Sequence, residues 1–366
     1  MSGKKNPIIE DVEDEDDGGD SSPVSYNILT YPADFTLEVV VNKIRKKEII
    51  IPKFQRGYVW KSSQSSKLIE SFLLGLPVPP VFLYTGRKDG KLLVVDGQQR
   101  LKTTRYFFDG KYGKDQFGNR PTFALTGLNK NSPFLGKTFA DLSSTAPSDF
   151  EKLKNTVLRA FIVKQLDPGD DTSIYHIFER LNTGGTLLQG QEIRNCIFPG
   201  KFNSMLHDLN KLPSWRDIFG KAQRDKRQRD IELILRFFAL HYNFKKYAKP
   251  MKLFLNSFMS SKKDINAGSE KEYRQIFTSV SDAILSSLGE RPFHIRSGLN
   301  AAVCDSVFLA FSGNAGKQIP NNIKKRYENL LEDAEYKKSI SSGTTDTEVI
   351  RTRLKLASGK MFGSTK

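Results

Sequence analysis

The sequence predicts an α+β domain followed by an all-helical one. Three observations carry this prediction. The chain has 366 residues, too many for one average domain and suited to two at roughly 100–200 residues each. Helical and strand patterns alternate up to about residue 168 and give way to helical patterns alone from about Asp170. Hydrophobic residues make up 38% of the chain, enough for each part to bury a core.

Taken in order, the chain opens on an acidic stretch with Gly and Ser, predicted over residues 1–30 as a disordered arm. Leu37, Val40, Val41 and Ile44 then recur at helical spacing, with Thr36 as the cap. Glu48 to Ile51 reads as a short strand. Ser62 to Leu74 reads as a helix with Leu68, Ile69, Phe72 and Leu73 on one face and Gly75 as its stop. Val81 to Tyr84 and Leu92 to Val95 read as two strands joined by a hairpin turn at Asp89-Gly90. A helix from Gln98 to Phe108, a loop-rich stretch over 111–150 and a strand at Val157 to Val163 complete the domain, placed at 31–168. The helical domain, 169–366, has candidate helices at 171–181, 189–197, 201–211, 228–243, 270–288, 299–312, 320–336 and 346–357.

Charge narrows the partners. Residues 1–20 hold eight acids against Lys4 and Lys5, and the rest of the chain carries 55 bases against 33 acids, a net +22. Such a body favours a polyanion, DNA above all. No stretch approaches the ~20 apolar residues of a membrane span, and the acidic start lacks a secretory signal's layout. The sequence therefore predicts a cytoplasmic protein with no membrane partner. Two cysteines, Cys196 and Cys304, make neither a disulfide framework nor a zinc site and read as buried free thiols.

Three segments carry possible chemistry. Val94-Val95-Asp96-Gly97-Gln98-Gln99-Arg100 lies between a strand and a helix. A helix N-terminus offers unpaired N–H groups and partial positive charge to a phosphate. Gly97 lets backbone approach a ligand. Arg100, disfavoured by the dipole in a first turn, gains a reason to be there if it grips phosphate. Asp96 suits Mg²⁺ or an oriented water, and Gln98 or Gln99 suits positioning that water. A strand-turn-helix with a polar cap accounts for the same residues. In the second segment, Gln55, Arg56, Tyr58 and Trp60 interleave within six residues. They suit base stacking and phosphate contact, or a half-buried loop with Tyr58 and Trp60 filling core. The third runs from Phe178 to Thr186, where Asn182-Thr183-Gly184-Gly185 makes either an anion-binding nest or an ordinary helix end. The histidines, His176, His207, His241 and His294, show no HNH arrangement, and no Gly-x4-Gly-Lys-Ser/Thr loop exists. Cleavage of DNA by these residues alone is not expected.

Together, Phe54-Gln55-Arg56-Gly57-Tyr58-Val59-Trp60, Leu68-Ile69-Glu70-Ser71 with Gly75-Leu76-Pro77-Val78-Pro79, Asp96-Gly97-Gln98-Gln99-Arg100-Leu101, Phe178 to Gly185, and Gln191-Glu192-Ile193-Arg194-Asn195 resemble the N-terminal domain family of GmrSD-type, modification-dependent restriction enzymes. The resemblance covers roughly residues 35–200. It implies a ParB/sulfiredoxin-like first domain that binds and hydrolyses a nucleoside triphosphate (ATP, GTP or CTP) with Mg²⁺, and so controls restriction of phage DNA carrying modified bases. In the family's full enzymes a separate HNH domain cuts; here a separately encoded nuclease subunit would take that part, and a homo-oligomer is compatible with the scheme. By the same resemblance Arg100 and Arg56 hold phosphates, with Gln55 beside them. Gly97 and the amides of Gln98 and Gln99 cradle them, Asp96 binds metal or orients water, and Tyr58 or Trp60 contacts the base. Thr103 joins from the same helix. Asn182, Thr183, Gly184 and Gly185 close the site from the helical half, so that the two halves clamp on the nucleotide. The competing expectation is a DNA-binding or nuclease-partner scaffold module with no NTPase activity.

Overall fold

The computed structural model describes residues 28–51, 58–85, 90–113, 119–166, 175, 177, 189–225, 227–295 and 298–363. The chain divides into two compact units, one within residues 25–188 and one of residues 189–366. The sequence pattern changes nearer residue 168, and most of the intervening stretch lies outside the described residues.

The first unit is built on a five-stranded mixed sheet in the order β1-β5-β3-β4-β2. Its strands are β1 (Ile28–Thr36), β2 (Ile49–Ile50), β3 (Val81–Thr85), β4 (Leu92–Asp96) and β5 (Val157–Gln165). β1 runs antiparallel to β5, β5 parallel to β3, β3 antiparallel to β4, and β4 parallel to β2. The two strands of the predicted hairpin pair as β3–β4, with a register shift between Phe82 and Leu83, while Asp89 of its predicted turn lies outside the described residues. Helix α1 (Leu37–Arg45) is capped as expected, Thr36 accepting from the Val39 amide at 3.3 Å. Its buried face is Leu37, Val40, Val41 and Ile44. Helix α2 (Ser62–Leu74) ends at Gly75 in the left-handed region, and α3 (Gln98–Phe108) follows β4 directly. Helices α1, α2 and α3 pack together with α5 (Pro147–Asn155). The core they share with the sheet includes Val81, Leu83, Val94, Leu101 and Phe107.

Strand β1 begins at Ile28, inside the stretch 1–30 read as an arm. The stretch 111–150, read as loop-rich, also holds α4 (Phe139–Thr145) and the start of α5. Both helices carry start signals: a Thr138–Asp141 capping box and Pro147 at the first position.

The second unit is helical throughout its described elements: α6 (Gly190–Ile197), α7 (Lys201–Leu209), α8 (Pro213–Phe219), α9 (Arg229–Asn243), α10 (Met251–Ser261), α11 (Ala267–Leu288), α12 (Ala301–Gly313), α13 (Ile323–Glu332), α14 (Ala334–Ser339) and α15 (Thr347–Phe362). An aromatic cluster of Trp215, Phe237, Phe277 and Phe308 joins α8, α9, α11 and α12, with the Phe277 and Phe308 rings stacked at 5.7 Å. Helices α8 and α10 were not expected, and the predicted 320–336 helix is two helices. The break falls at Asp333, whose side chain caps the second by accepting from the Tyr336 amide at 2.8 Å. The predicted helix 171–181 lies almost wholly outside the described residues. Cys304 is a buried free thiol as expected, while the Cys196 side chain is outside the described set. Among the described residues no helix is long and apolar enough to cross a membrane.

Candidate functional site

The sheet delivers Asp96, the last residue of β4, beside Phe82 at the start of β3. The next residue must reverse the chain into α3. Gly97 does so at φ 95° and ψ 10°, and a Cβ there would lie 2.4 Å from Val81 Cγ1 on β3. Both the left-handed backbone and the closeness of the neighbouring strand exclude a side chain. Gly97 therefore offers α3 no side-chain cap, and the first turn contains no acid. Its carbonyl accepts the Leu101 amide at 2.9 Å, closing the first helical turn. The amide end of α3 thus starts from a tight, sheet-anchored turn with its dipole uncompensated by its own first turn.

Arg100 sits in that first turn. Its Nη2 donates to Asp96 Oδ2 at 2.8 Å and to the Pro80 carbonyl at 3.1 Å. The pair is uneven: the Arg100 side chain is 16% exposed and Asp96 39%. Arg100 Nε is buried and has no hydrogen-bond partner among the described residues. An unmet charged donor costs more than an ordinary unmet amide, so this one marks a place where an anion would be welcome. One arginine edge locks Asp96 and the entrance to β3, and Nε remains to be satisfied.

The second segment comes to the same helix. The Tyr58 hydroxyl hydrogen-bonds Ser65 on α2 and, at 2.8 Å, Thr103 on α3. Its ring meets Tyr106 edge-on at 5.1 Å, and burial pushes its hydroxyl above the ordinary tyrosine value. The Val59 amide donates to Gln99 Oε1 at 3.2 Å. Trp60 is half-buried against the hydrophobic core. The structure therefore joins Tyr58 to Thr103 and Val59 to Gln99, a strut that fixes the end of this segment on α3. Thr103 is fully buried and acts through Tyr58. Burial holds the neighbouring Lys102 ammonium down to about 8. Gln55, Arg56, Asn182, Thr183, Gly184 and Gly185 lie outside the described residues. Sequence reasoning passed over Ser65 and Ser66, both fully buried on α2. The signal for them is two hydroxyls on the face that carries Leu68, Ile69 and Phe72.

In the helical unit, Gln191, Glu192, Arg194 and Asn195 are all buried. Arg194 donates to Gln191 at 2.8 Å, to Asn256 at 3.4 Å and to Glu232, while Asn195 bonds Gln191 at 3.0 Å and Gln228. This segment braces α6 against α9 and α10. Among the described residues no group of three or more His, Cys, Asp or Glu could hold a metal ion.

Residues 37–199 match the family described as GmrSD restriction endonuclease, N-terminal domain. The match covers less than half of the chain; over these residues the chain is similar to that family, and the similarity relates it to restriction systems. A comparison with curated proteins returns no match. The GmrSD-type segment begins at the first residue of α1 and ends two residues after α6. It contains the whole Asp96–Arg100 turn, the Tyr58–Trp60 strut and the Gln191–Asn195 brace.

Proposed function

We propose that the GmrSD-type domain binds a nucleoside triphosphate at the start of α3 and hydrolyses it, as the regulatory step of a restriction system acting on modified DNA. One observation carries the reading: a helix start without side-chain cap or first-turn acid, beside an arginine whose buried Nε has no partner among the described residues. Amides and guanidinium together are a donor set for phosphate oxygens. Arg100 holds phosphate through its unmet edge while Asp96 and Pro80 fix its plane. Gln98 or Gln99 orients the attacking water, and Gln99 Oε1 also accepts the Val59 amide. By the family resemblance Arg56 and residues Asn182, Thr183, Gly184 and Gly185 also contact the triphosphate.

Asp96 is the single carboxylate of this turn, so it fits a cation whose remaining ligands are phosphate oxygens and water, as Mg²⁺ takes in nucleotide sites. When bound, Mg²⁺ supplies charge neutralisation at the phosphates. DNA is the partner that the +22 body fits.

The test incubates the purified chain with ATP, GTP, CTP and UTP plus Mg²⁺ and measures released phosphate, with Arg100→Ala and Asp96→Asn alongside and binding followed by calorimetry. Turnover of one nucleotide, lost in both variants, is the expected result. Absence of both turnover and binding with every nucleotide overturns the reading and leaves the DNA-binding module.

A further inference from the structure

Outside the GmrSD-type segment the helical unit carries a second concentration of charge, in the connection from α8 to α9. Its described residues within 221–229 include Lys221, Arg224, Arg227 and Arg229 against one acid, Asp225. Asp225 is buried and turned inward: its carboxylate accepts the Arg227 amide at 2.8 Å and pairs with Arg229 at 3.3 Å and Lys221 at 3.7 Å. Arg224 is exposed. The acid thus knits the inside of the connection, and the outside is cationic.

A patch of lysines and arginines on a mobile surface is commonplace; this one is held from below. Buried Arg216 donates to the Lys221 carbonyl at 2.7 Å and the Gln223 carbonyl at 2.6 Å. Its Nη1 is fixed by Asp230 and Asn210, each at 2.8 Å. Asp230 also accepts the Asp225 amide at 3.0 Å. Gln228, in the left-handed region at φ 60°, closes the connection and is gripped by Asn195 of the brace. A fifth base, Arg291, extends the patch. It adopts φ 54°, an uncommon conformation for a residue with a side chain, and its amide donates to the Asp217 carbonyl at 3.2 Å. Its side chain lies over Gly220, where a Cβ would meet Arg291 Cγ and Nε at 2.9 Å. Glycine at 220 is what lets Arg291 lie beside Lys221. Burial, and then the Arg291 cation, hold the nearby His294 imidazole below its ordinary value.

We infer that Lys221, Arg224, Arg227 and Arg229 with Arg291 form a preformed grip for the phosphate backbone of duplex DNA, independent of the nucleotide site. Arginines suit phosphate through their planar paired donors. A backbone already fixed by Arg216, Asp225 and Asp230 pays little ordering entropy on binding. Backbone contacts position a protein on DNA without reading sequence, so this grip accepts any duplex.

The test uses the full chain and a fluorescein-labelled 30-base-pair unmodified duplex, read by anisotropy between 50 and 300 mM salt. Two double variants remove equal charge. Arg224→Ala with Arg227→Ala lies in the grip; Lys245→Ala with Lys246→Ala lies just past the other end of α9, about 22 Å away for a 15-residue helix. The grip double is expected to weaken binding at least tenfold and to flatten the log-affinity against log-salt slope by about 2. The control double changes affinity less than threefold. Arg224→Glu alone, at an exposed position, gives the same direction should the double fail to fold. Equal weakening by both doubles, an unchanged slope, no duplex binding by the wild type, or tighter binding of single-stranded RNA of equal length overturns the proposal. Arg100→Ala should leave duplex affinity intact without nucleotide, which separates this grip from the nucleotide reading.

Discussion

The two units treat an arginine–aspartate pair in opposite ways. In the helical unit Arg236 and Asp305 are 5% and 1% exposed, and Arg236 meets both carboxylate oxygens, at 3.0 and 3.2 Å from Nε and 2.5 Å from Nη2. In the α+β unit Arg100 and Asp96 share one bond at 2.8 Å, Asp96 stands 39% exposed, and Arg100 Nε is unmet among the described residues. The first pair is closed and serves the fold. The second is half open, and its incompleteness is what makes it a candidate site. The contrast teaches that a charge left incompletely paired at a sheet-anchored turn is better evidence of ligand chemistry than a strong pair in a core.

Breaking the closed pair should have the largest effect. Asp305→Ala strands the Arg236 guanidinium in the core and should cost about 3–5 kcal/mol, lowering the thermal transition by roughly 10 °C while nucleotide affinity at low temperature holds. A shift of only a degree or two would mean that the pair is not closed. Gly97→Ala comes next. The left-handed backbone and the Val81 contact should cost about 1–3 kcal/mol, and nucleotide affinity should fall more than tenfold in the same calorimetric titration. Wild-type binding by that variant would disconnect the turn from the site. Arg100→Ala should hardly touch stability, within ~1 kcal/mol, because loss of a partly exposed pair is offset by removing an unmet buried donor. Its nucleotide affinity should fall at least tenfold. A large stability loss with intact binding would reverse the contrast and make Arg100 the structural arginine.

The smallest effect concerns acid. Burial, with the Arg224 cation next, holds the His207 imidazole down to about 4. The unfolded chain takes up that proton near the ordinary value and the folded chain only near 4, so stability should fall as pH drops from about 6.5 towards 4. Chemical denaturation at pH 7 and pH 5 reads this directly, and His207→Gln should shrink the difference. An equal loss in wild type and variant would place the acid sensitivity elsewhere.

The elements that positioned the site were legible because each has a local cause. Thr36 starts α1, Gly75 stops α2, and a glycine between an apolar strand and an apolar-faced helix gave the Asp96–Arg100 turn. β1 was not legible. It is an edge strand with Pro32 inside it and mostly exposed side chains, so neither alternation nor apolarity announces it. Its existence rests on pairing with β5, 125 residues away at Asp34–Arg159. Strand order likewise depends on long-range pairing that no local pattern encodes. Helix α10 is a different failure: Met251, Phe254, Leu255, Phe258 and Met259 are buried at helical spacing and were readable. At the site, residue types left each segment open, and only the family resemblance set Tyr58 and Thr103 together. Residue types could not say that Tyr58 and Gln99 point at each other's segments, because hydrogen-bond direction is decided by packing.

The brace at Gln191–Asn195 has a consequence for what counts as a domain. The matched segment stops at residue 199, yet Arg194 in it finds Glu232 and Asn256 well beyond that point. A fragment ending at 199 would present an uncompensated guanidinium and the apolar face of α6 to water. The stretch recognisable as a sequence module is therefore not an autonomous folding module, and expression boundaries for this chain belong after α10 or later.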